Sequence, residues 1–240
     1  MSRQLSCYIL LATSLTMSLA AYAAPNPDPW ENTNRKIYAF NKNMDTYVLK
    51  PVAKGYRAVT PQMVDDGITR FFDNLKEPLV AVNDGLQGKG ADALTDISRF
   101  VVNSVTSLGF ADIAHKIGLN KHQEDFGQTF GKWGSPAGAY VMLPFLGPSS
   151  VRDAVAKPFD ALLNPRNAVK ETATNVGLFA VEIVDIRADL IPLEKVIEGD
   201  EYLLLRDVYL QRREFLVQDG KVNDSFIDDM DEESSPTPSP

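Results

Sequence analysis

Helix-opening chemistry recurs along this chain, and it constrains the fold more than any other feature. Asp28-Pro29-Trp30-Glu31 sets an acid at an N-cap position, proline at the first helical position and glutamate three residues after the cap. Thr60-Pro61 and Asn164-Pro165 repeat the cap-plus-proline pattern, and Ser150 followed by Asp153 is a looser capping box. Hairpin signals are weak by comparison. Asp84-Gly85 and Asp219-Gly220 occur, but neither sits between alternating apolar runs. The chain therefore reads as all-α.

The apolar periodicity agrees. Leu94, Ile97, Val101, Ser104/Val105 and Leu108 recur at helical spacing, as do Val169, Val176, Phe179/Ala180, Ile183 and Ile186. Leu204, Val208, Gln211 and Phe215 form a third series, on a helix that also carries Arg206, Arg212 and Arg213. The expected helices cover 29–44, 47–59, 61–86, 91–106, 109–117, 150–163, 165–187 and 200–217. Two stretches are unusually apolar. Only Asp112 is charged between Val101 and Ile113, and only Glu182 and Asp185 between Val176 and Ile186. Neither reaches the roughly eighteen residues that a membrane span needs. They are either buried core helices or helices that touch lipid without crossing it.

The first residues have the features of an export signal. Arg3 begins it, Tyr8 to Leu19 is an apolar run too short for a permanent span, and Ala21-Tyr22-Ala23 is a small-x-small site. Residues 1–23 are expected to be removed between Ala23 and Ala24. The only cysteine, Cys7, precedes the apolar run, where a lipidated cysteine would have to follow it. The mature chain then has no cysteine, which excludes disulfides and thiol catalysis and suits an oxidising compartment. It also predicts membrane attachment without a lipid anchor. At the other end, residues 218–240 read as an acidic, disordered tail, with seven acids from Asp219 onward against Lys221 alone.

Formal net charge is −8, and the basic residues form no cluster that could track a nucleic-acid backbone. The chain carries no nucleophile elbow, zinc-protease helix, phosphate-binding loop or dinucleotide fingerprint. His115 and His122 lie near Glu124 and Asp125, and a metal or a hydrolase could be imagined from them, but exposed loop groups are the plainer reading. The expectation is no enzyme, no catalytic residue, no metal and no cofactor.

Residues 127–150 pose the sharpest question. A long loop is normally polar, yet this stretch is rich in glycine, proline and aromatic side chains, and Lys132 is its only charge. Residues 132–148 are expected to form a mobile, hairpin-like flap. Gly131, Gly134, Gly138 and Gly147 would supply backbone freedom, and Pro136, Pro144 and Pro148 would limit its shapes. Val141, Met142, Leu143 and Phe145 would touch acyl tails, with Trp133 and Tyr140 at headgroup level. A loop packed on the bundle as core is the alternative. Helix 29–44 mixes Tyr38, Phe40, Asn41 and Asp45, and would line or gate a channel or simply pack. Arg35, Lys36, Lys50, Lys54 and Arg57 either attract phosphate headgroups or lie on ordinary exposed faces.

Several strings in order carry a family resemblance. They include DPWENTNRKIYAFNKNMD (28–45), LKPVAKGYRAVTP (49–61), FFDNLKEP (71–78), EDFGQTFGKWG (124–134), GAYVMLPFLGPSSVRD (138–153) and YLLLRDVYLQRREFL (202–216). Over about residues 28–217 the chain resembles the MlaA/VacJ family. The resemblance implies a helical ring lying in the inner leaflet of a Gram-negative outer membrane, often bound to a trimeric porin. It implies that mislocalised phospholipid leaves the outer leaflet through an amphipathic channel and passes to a periplasmic lipid-carrier protein, which maintains lipid asymmetry. Many members are lipoproteins, and here the chain departs from the pattern. A porin-associated scaffold that conducts no lipid is the alternative function.

Overall fold

The computed structural model describes residues 26–221, apart from 169–170 and 197–198. The signal segment, its cleavage site at Ala23 and Ala24, Cys7, Val169 and the tail from residue 222 lie outside the described residues. Helix α1 (Glu31–Met44) passes through a π-helical turn (Asp45–Leu49) into α2 (Lys50–Val59). Then come α3 (Gln62–Leu86), α4 (Gly90–Ser107), the single turn α5 (Ile113–Lys116) and α6 (Phe126–Lys132). Strands β1 (Tyr140–Leu143) and β2 (Gly147–Ser150) lead into α7 (Val151–Leu163). A 3-10 turn (Pro165–Ala168), α8 (Thr172–Leu190), a second 3-10 turn (Ile191–Val196) and α9 (Glu201–Val217) complete the order. Helices α3 and α4 pack along their lengths, α2 lies against α8, α6 against α7, and β1 against α1. No described helix is long and apolar enough to cross a membrane.

The chain is mostly helical, as its caps and periods indicate, but several boundaries differ for identifiable reasons. Asp28 is not a cap: α1 starts at Glu31, and the buried Asp28 carboxylate accepts from Asn34 Nδ2 at 2.7 Å and from the Tyr202 hydroxyl. Asn164 Oδ1 caps only the 3-10 turn, accepting from Arg166 N at 3.0 Å, and α8 begins later, at Thr172. The looser box is the one that forms as drawn, with Ser150 Oγ accepting from Asp153 N at 3.1 Å. The expected helix 109–117 is reduced to Ile113–Lys116. Asp219, assigned to the tail by its composition, is held on the fold by Lys89 and Lys132, and Gly220 closes α9 by donating its amide to Phe215 O at 3.0 Å.

The distribution of side chains is inverted relative to a water-soluble bundle. Among the described residues the largest side chains with almost no exposure include Arg99, Glu77, Asn83, Asp84, Asp96 and Asp185. Half of the buried apolar positions are alanines. Lys, Glu, Arg and Asp are rarely so deep in ordinary proteins unless they are paired. Helix α4 shows the inversion most clearly. Its periodic stripe of Leu94, Ile97, Val101, Val105 and Leu108 faces outward, with Val105 80% and Leu108 75% exposed, while Asp96, Arg99 and Asn103 face inward. The spacing is that of an amphipathic helix; the sense is opposite. In α8, Val176, Phe179, Val181, Ile186 and Leu190 are likewise exposed, and Asp185 is buried.

Buried charges fasten one element to another. Arg99 donates from Nε to Glu77 Oε1 at 2.9 Å, from Nη1 to Leu119 O at 2.6 Å and from Nη2 to Asp112 Oδ2 at 3.0 Å. Burial opposes the Asp112 charge, but Arg99 and the His115 amide more than offset it and hold the carboxyl below its usual range. Asp185 of α8 accepts from Tyr56 of α2 and Thr69 of α3, each at 2.9 Å. Arg187 grips Asp45 at 2.5 and 2.8 Å, which fixes the π-helical turn against α8.

Candidate functional site

The stretch read as one long loop, 127–150, is two different structures. Its first part is helix α6, which the glycines had concealed. Asp125 caps it, accepting from Gln128 N at 2.8 Å. Gly127 and Gly131 serve close approach. A Cβ on Gly127 would lie 2.4 Å from Asp153 Oδ1, and one on Gly131 would lie 2.8 Å from Arg152 Nη1. Gly131 therefore belongs to a packed helix, contrary to its expected role as a source of flexibility. Trp133 ends α6, half-exposed, with its indole N–H donating to Leu86 O at 3.2 Å and its ring 6.0 Å from Phe130.

The second part is an antiparallel hairpin that pairs Tyr140 with Ser150 and Leu143 with Gly147. The all-α expectation missed it because its turn carries no Asn-Gly or Asp-Gly. The three residues Pro144 to Leu146 turn the chain, with Phe145 at φ 61° and Gly147 at φ 78°. Tyr140 and Met142 are fully buried and pack with Tyr202, flanked by Ile37, Tyr38, Leu203 and Tyr209. Burial, with Asp28 nearby, pushes the Tyr140 phenol up to about 12. Phe145 is 73% exposed at the tip, and its ring meets Phe40 edge-on at 5.2 Å.

Two asparagines of α1 hold this hairpin. They are seven residues apart, about two helical turns, so both face the same strand. Asn34 donates to Tyr140 O at 3.1 Å and accepts from Met142 N at 2.9 Å. Asn41 donates to Leu143 O at 2.9 Å and accepts from Phe145 N at 2.8 Å. Their amides satisfy the outer edge of β1 as a third strand would. The site residues expected from sequence thus separate into two groups. Tyr38, Phe40, Asn41, Tyr140, Met142, Leu143 and Phe145 meet around the hairpin, whereas Trp133, Gly134 and Gly138 lie on its approach. Replacing Asn41 by alanine should loosen the tip alone. The Phe145 amide should exchange with solvent about tenfold faster, matching the loss of roughly 1–2 kcal/mol of hydrogen bonding. The Met142 amide, bonded to Asn34, should not change. Equal acceleration at both amides would show that the tip has no separate fastening.

Beside the hairpin lies a cavity of about 510 Å³, walled by Gly134, Pro136, Ala137, Arg152, Tyr209 and Arg213 among others. Sequence reasoning missed the charged knot behind its Arg213 wall, because Asp125, Asp153 and Arg213 are far apart in the chain. Arg213 Nη1 and Nη2 clasp Asp125 at 2.6 and 2.8 Å, and Nε bonds Asp153 at 2.8 Å. Tyr209 donates to Asp153 at 2.5 Å, and Arg152 Nε to the same carboxylate at 2.9 Å. Burial opposes the Asp153 charge, yet Arg213, Tyr209 and Arg152 pull its pKa below the usual range. Asp160, half-buried and accepting from Phe126 N at 2.9 Å, is pushed up to about 6 by burial, which outweighs the pull of that amide.

The imagined group of His115, His122, Glu124 and Asp125 does not converge. His115 is exposed, Glu124 bonds Lys89 and Gln87 at 2.7 Å each, and Asp125 caps α6. His122 Nδ1 instead faces Asp96, at 3.0 and 3.1 Å from its two oxygens.

Charged side chains inside and aliphatic side chains outside define a class: a helical protein whose surface suits apolar surroundings. The chain belongs to the MlaA lipoprotein family, whose description it matches over residues 26–216. It is 31% identical to the intermembrane phospholipid transport system lipoprotein MlaA of Escherichia coli K12, over 89% of each chain. To the protein of the same name from Haemophilus influenzae it is 30% identical, over 82% of each. A solved structure titled as the basis for maintenance of bacterial outer membrane lipid asymmetry superposes with TM-score 0.70 at 32% identity, covering 79% of this chain and 98% of that one. The family and these two relatives are named lipoproteins, which overturns the expectation of a chain without a lipid anchor. That expectation rested on Cys7 preceding the apolar run and on Ala21-Tyr22-Ala23 standing where a lipidated cysteine would follow it.

Proposed function

We propose that this chain is the outer-membrane component of an intermembrane phospholipid transport system, and that it withdraws mislocalised phospholipid from the outer leaflet. The observation that carries this reading is the inverted helix α4, with its aliphatic stripe outward and Asp96, Arg99 and Asn103 inward. Such a body rests among acyl tails and keeps a polar interior for a headgroup. The cavity beside the hairpin suits that role: Arg152 on its wall is offered to a phosphate, and Pro136, Ala137 and Leu210 to the chains. Its volume accommodates a headgroup with part of its glycerol and leaves the acyl tails in the leaflet. The hairpin meets the cavity at its Ser150 end, while its exposed tip, Pro144 to Leu146, is fastened to α1 where Asn41 accepts from the Phe145 amide. Transfer onward goes to a periplasmic lipid-carrier protein, and a trimeric outer-membrane porin is the scaffold that receives the ring.

The test is outer-leaflet phospholipid in a strain lacking the gene, with and without its restoration. A rise in the deletion strain, reversed on restoration, is expected. An unchanged outer leaflet with porin still bound to the chain would sink the transport reading and leave a porin-associated scaffold.

A further inference from the structure

Three side chains from distant parts of the chain meet inside the fold, away from the hairpin and cavity. Asp84 comes from the last turn of α3, Asp96 from the first half of α4, and His122 from the segment before α6. One ligating atom from each lies within 4.8 Å of the others. Asp84 is 1% exposed and Asp96 fully buried. Among the described residues, one Asp84 oxygen, Oδ2, is buried with no hydrogen-bond partner. His122 already points an imidazole nitrogen at Asp96. Lys89, whose charge is felt at Asp84, is taken by Glu124 and Asp219.

We propose that Asp84, Asp96 and His122 bind one divalent transition-metal ion, zinc in preference to calcium or magnesium, which staples α3, α4 and the α5–α6 connection together. Two buried carboxylates without a buried cation between them are costly. A divalent ion balances both charges and leaves the imidazole neutral, as a ligand must be. The imidazole selects against calcium and magnesium, which take oxygen ligands. The orphan oxygen of Asp84 gains a partner. Burial, and then the neighbouring Asp96, push Asp84 up to about 8. The staple lies on the far side of α4 from its aliphatic stripe, so it stiffens the helix that meets lipid.

The experiment is zinc titration of the detergent-solubilised full chain after chelator treatment, read by equilibrium dialysis and thermal unfolding. One equivalent should bind, and a hundredfold excess over Kd should raise the midpoint by about 5–10 °C. Asp84→Asn is the informative variant, because it removes the buried charge at constant shape. It should unfold at the same or a higher temperature than the wild type without zinc, and should lose the zinc-dependent rise. His122→Gln should lose it too, and His115→Ala, an exposed control, should keep it. Binding that survives in Asp84→Asn and His122→Gln, or no stoichiometric binding to the wild type, would overturn the site. Neither result bears on lipid transport, which is scored separately by the outer-leaflet assay.

Discussion

Arg99→Met should unfold at a temperature about 10 °C or more below the parent, although methionine fills nearly the same space. Arg99 and Glu77 are each 2% exposed, and three guanidinium donors are used. Removing one partner of a buried ion pair leaves the other charge uncompensated, which costs about 3–5 kcal/mol. Glu77 is poorly placed to bear this, since its Oε2 already lacks a partner. Burial raises the Glu77 pKa even with Arg99 beside it. The pH dependence has a definite sign. A carboxyl whose folded pKa lies above its unfolded value of about 4.3 binds a proton more tightly in the folded state, so stability falls as pH rises. Without Arg99 that pKa rises further, and the deficit should be larger at pH 8 than at pH 5. The double variant Arg99→Met, Glu77→Gln should recover at least half of the loss, because the stranded charge is gone. Circular-dichroism melts of the three proteins in one detergent decide it. A single variant within 1 kcal/mol of the parent would mean that the pair adds nothing to stability.

The same interior explains what the sequence could and could not announce. Helical spacing and the order of the helices were legible, because caps and periods are local. The sense of each amphipathic face was not. Leu94 to Leu108 looks the same whether the stripe points inward or outward, and only the placement of Arg99 opposite Glu77 settles which. Helix α6 escaped notice because Gly127 and Gly131 suggest a loop, whereas they admit Asp153 and Arg152 from the neighbouring helix α7. The hairpin escaped because its strand edge is completed by asparagine side chains of α1, about a hundred residues away in sequence. Of the candidate site, the aromatic and asparagine group around Phe40 and Phe145 was legible as a composition. The charged knot at Arg213 was not, since its partners meet only through folding.

If the aliphatic stripe of α4 faces acyl chains, changing Val101, Val105 and Leu108 together to glutamate should abolish membrane seating while leaving the fold intact. All three side chains are more than half exposed and contribute little to the interior. Surface substitutions of this kind ordinarily change stability by no more than about 0.5 kcal/mol each. In an acyl environment the arithmetic reverses. A charged side chain at membrane depth costs about 2.5–3.5 kcal/mol, so three exceed what a single lipid chain can hold. Flotation of the unlipidated chain of residues 24–240 with phospholipid vesicles measures the seating directly, and its melt in detergent reports the fold. The expected result is a parent that floats, a triple variant that does not, and melting midpoints that differ little. In cells the triple variant should reproduce the outer-leaflet phospholipid of the deletion strain even if an anchor keeps it at the membrane. Were the triple variant to float and to restore the outer leaflet, the stripe could not be the lipid-facing surface. The inverted helix would then have to bury its aliphatic face against a protein partner.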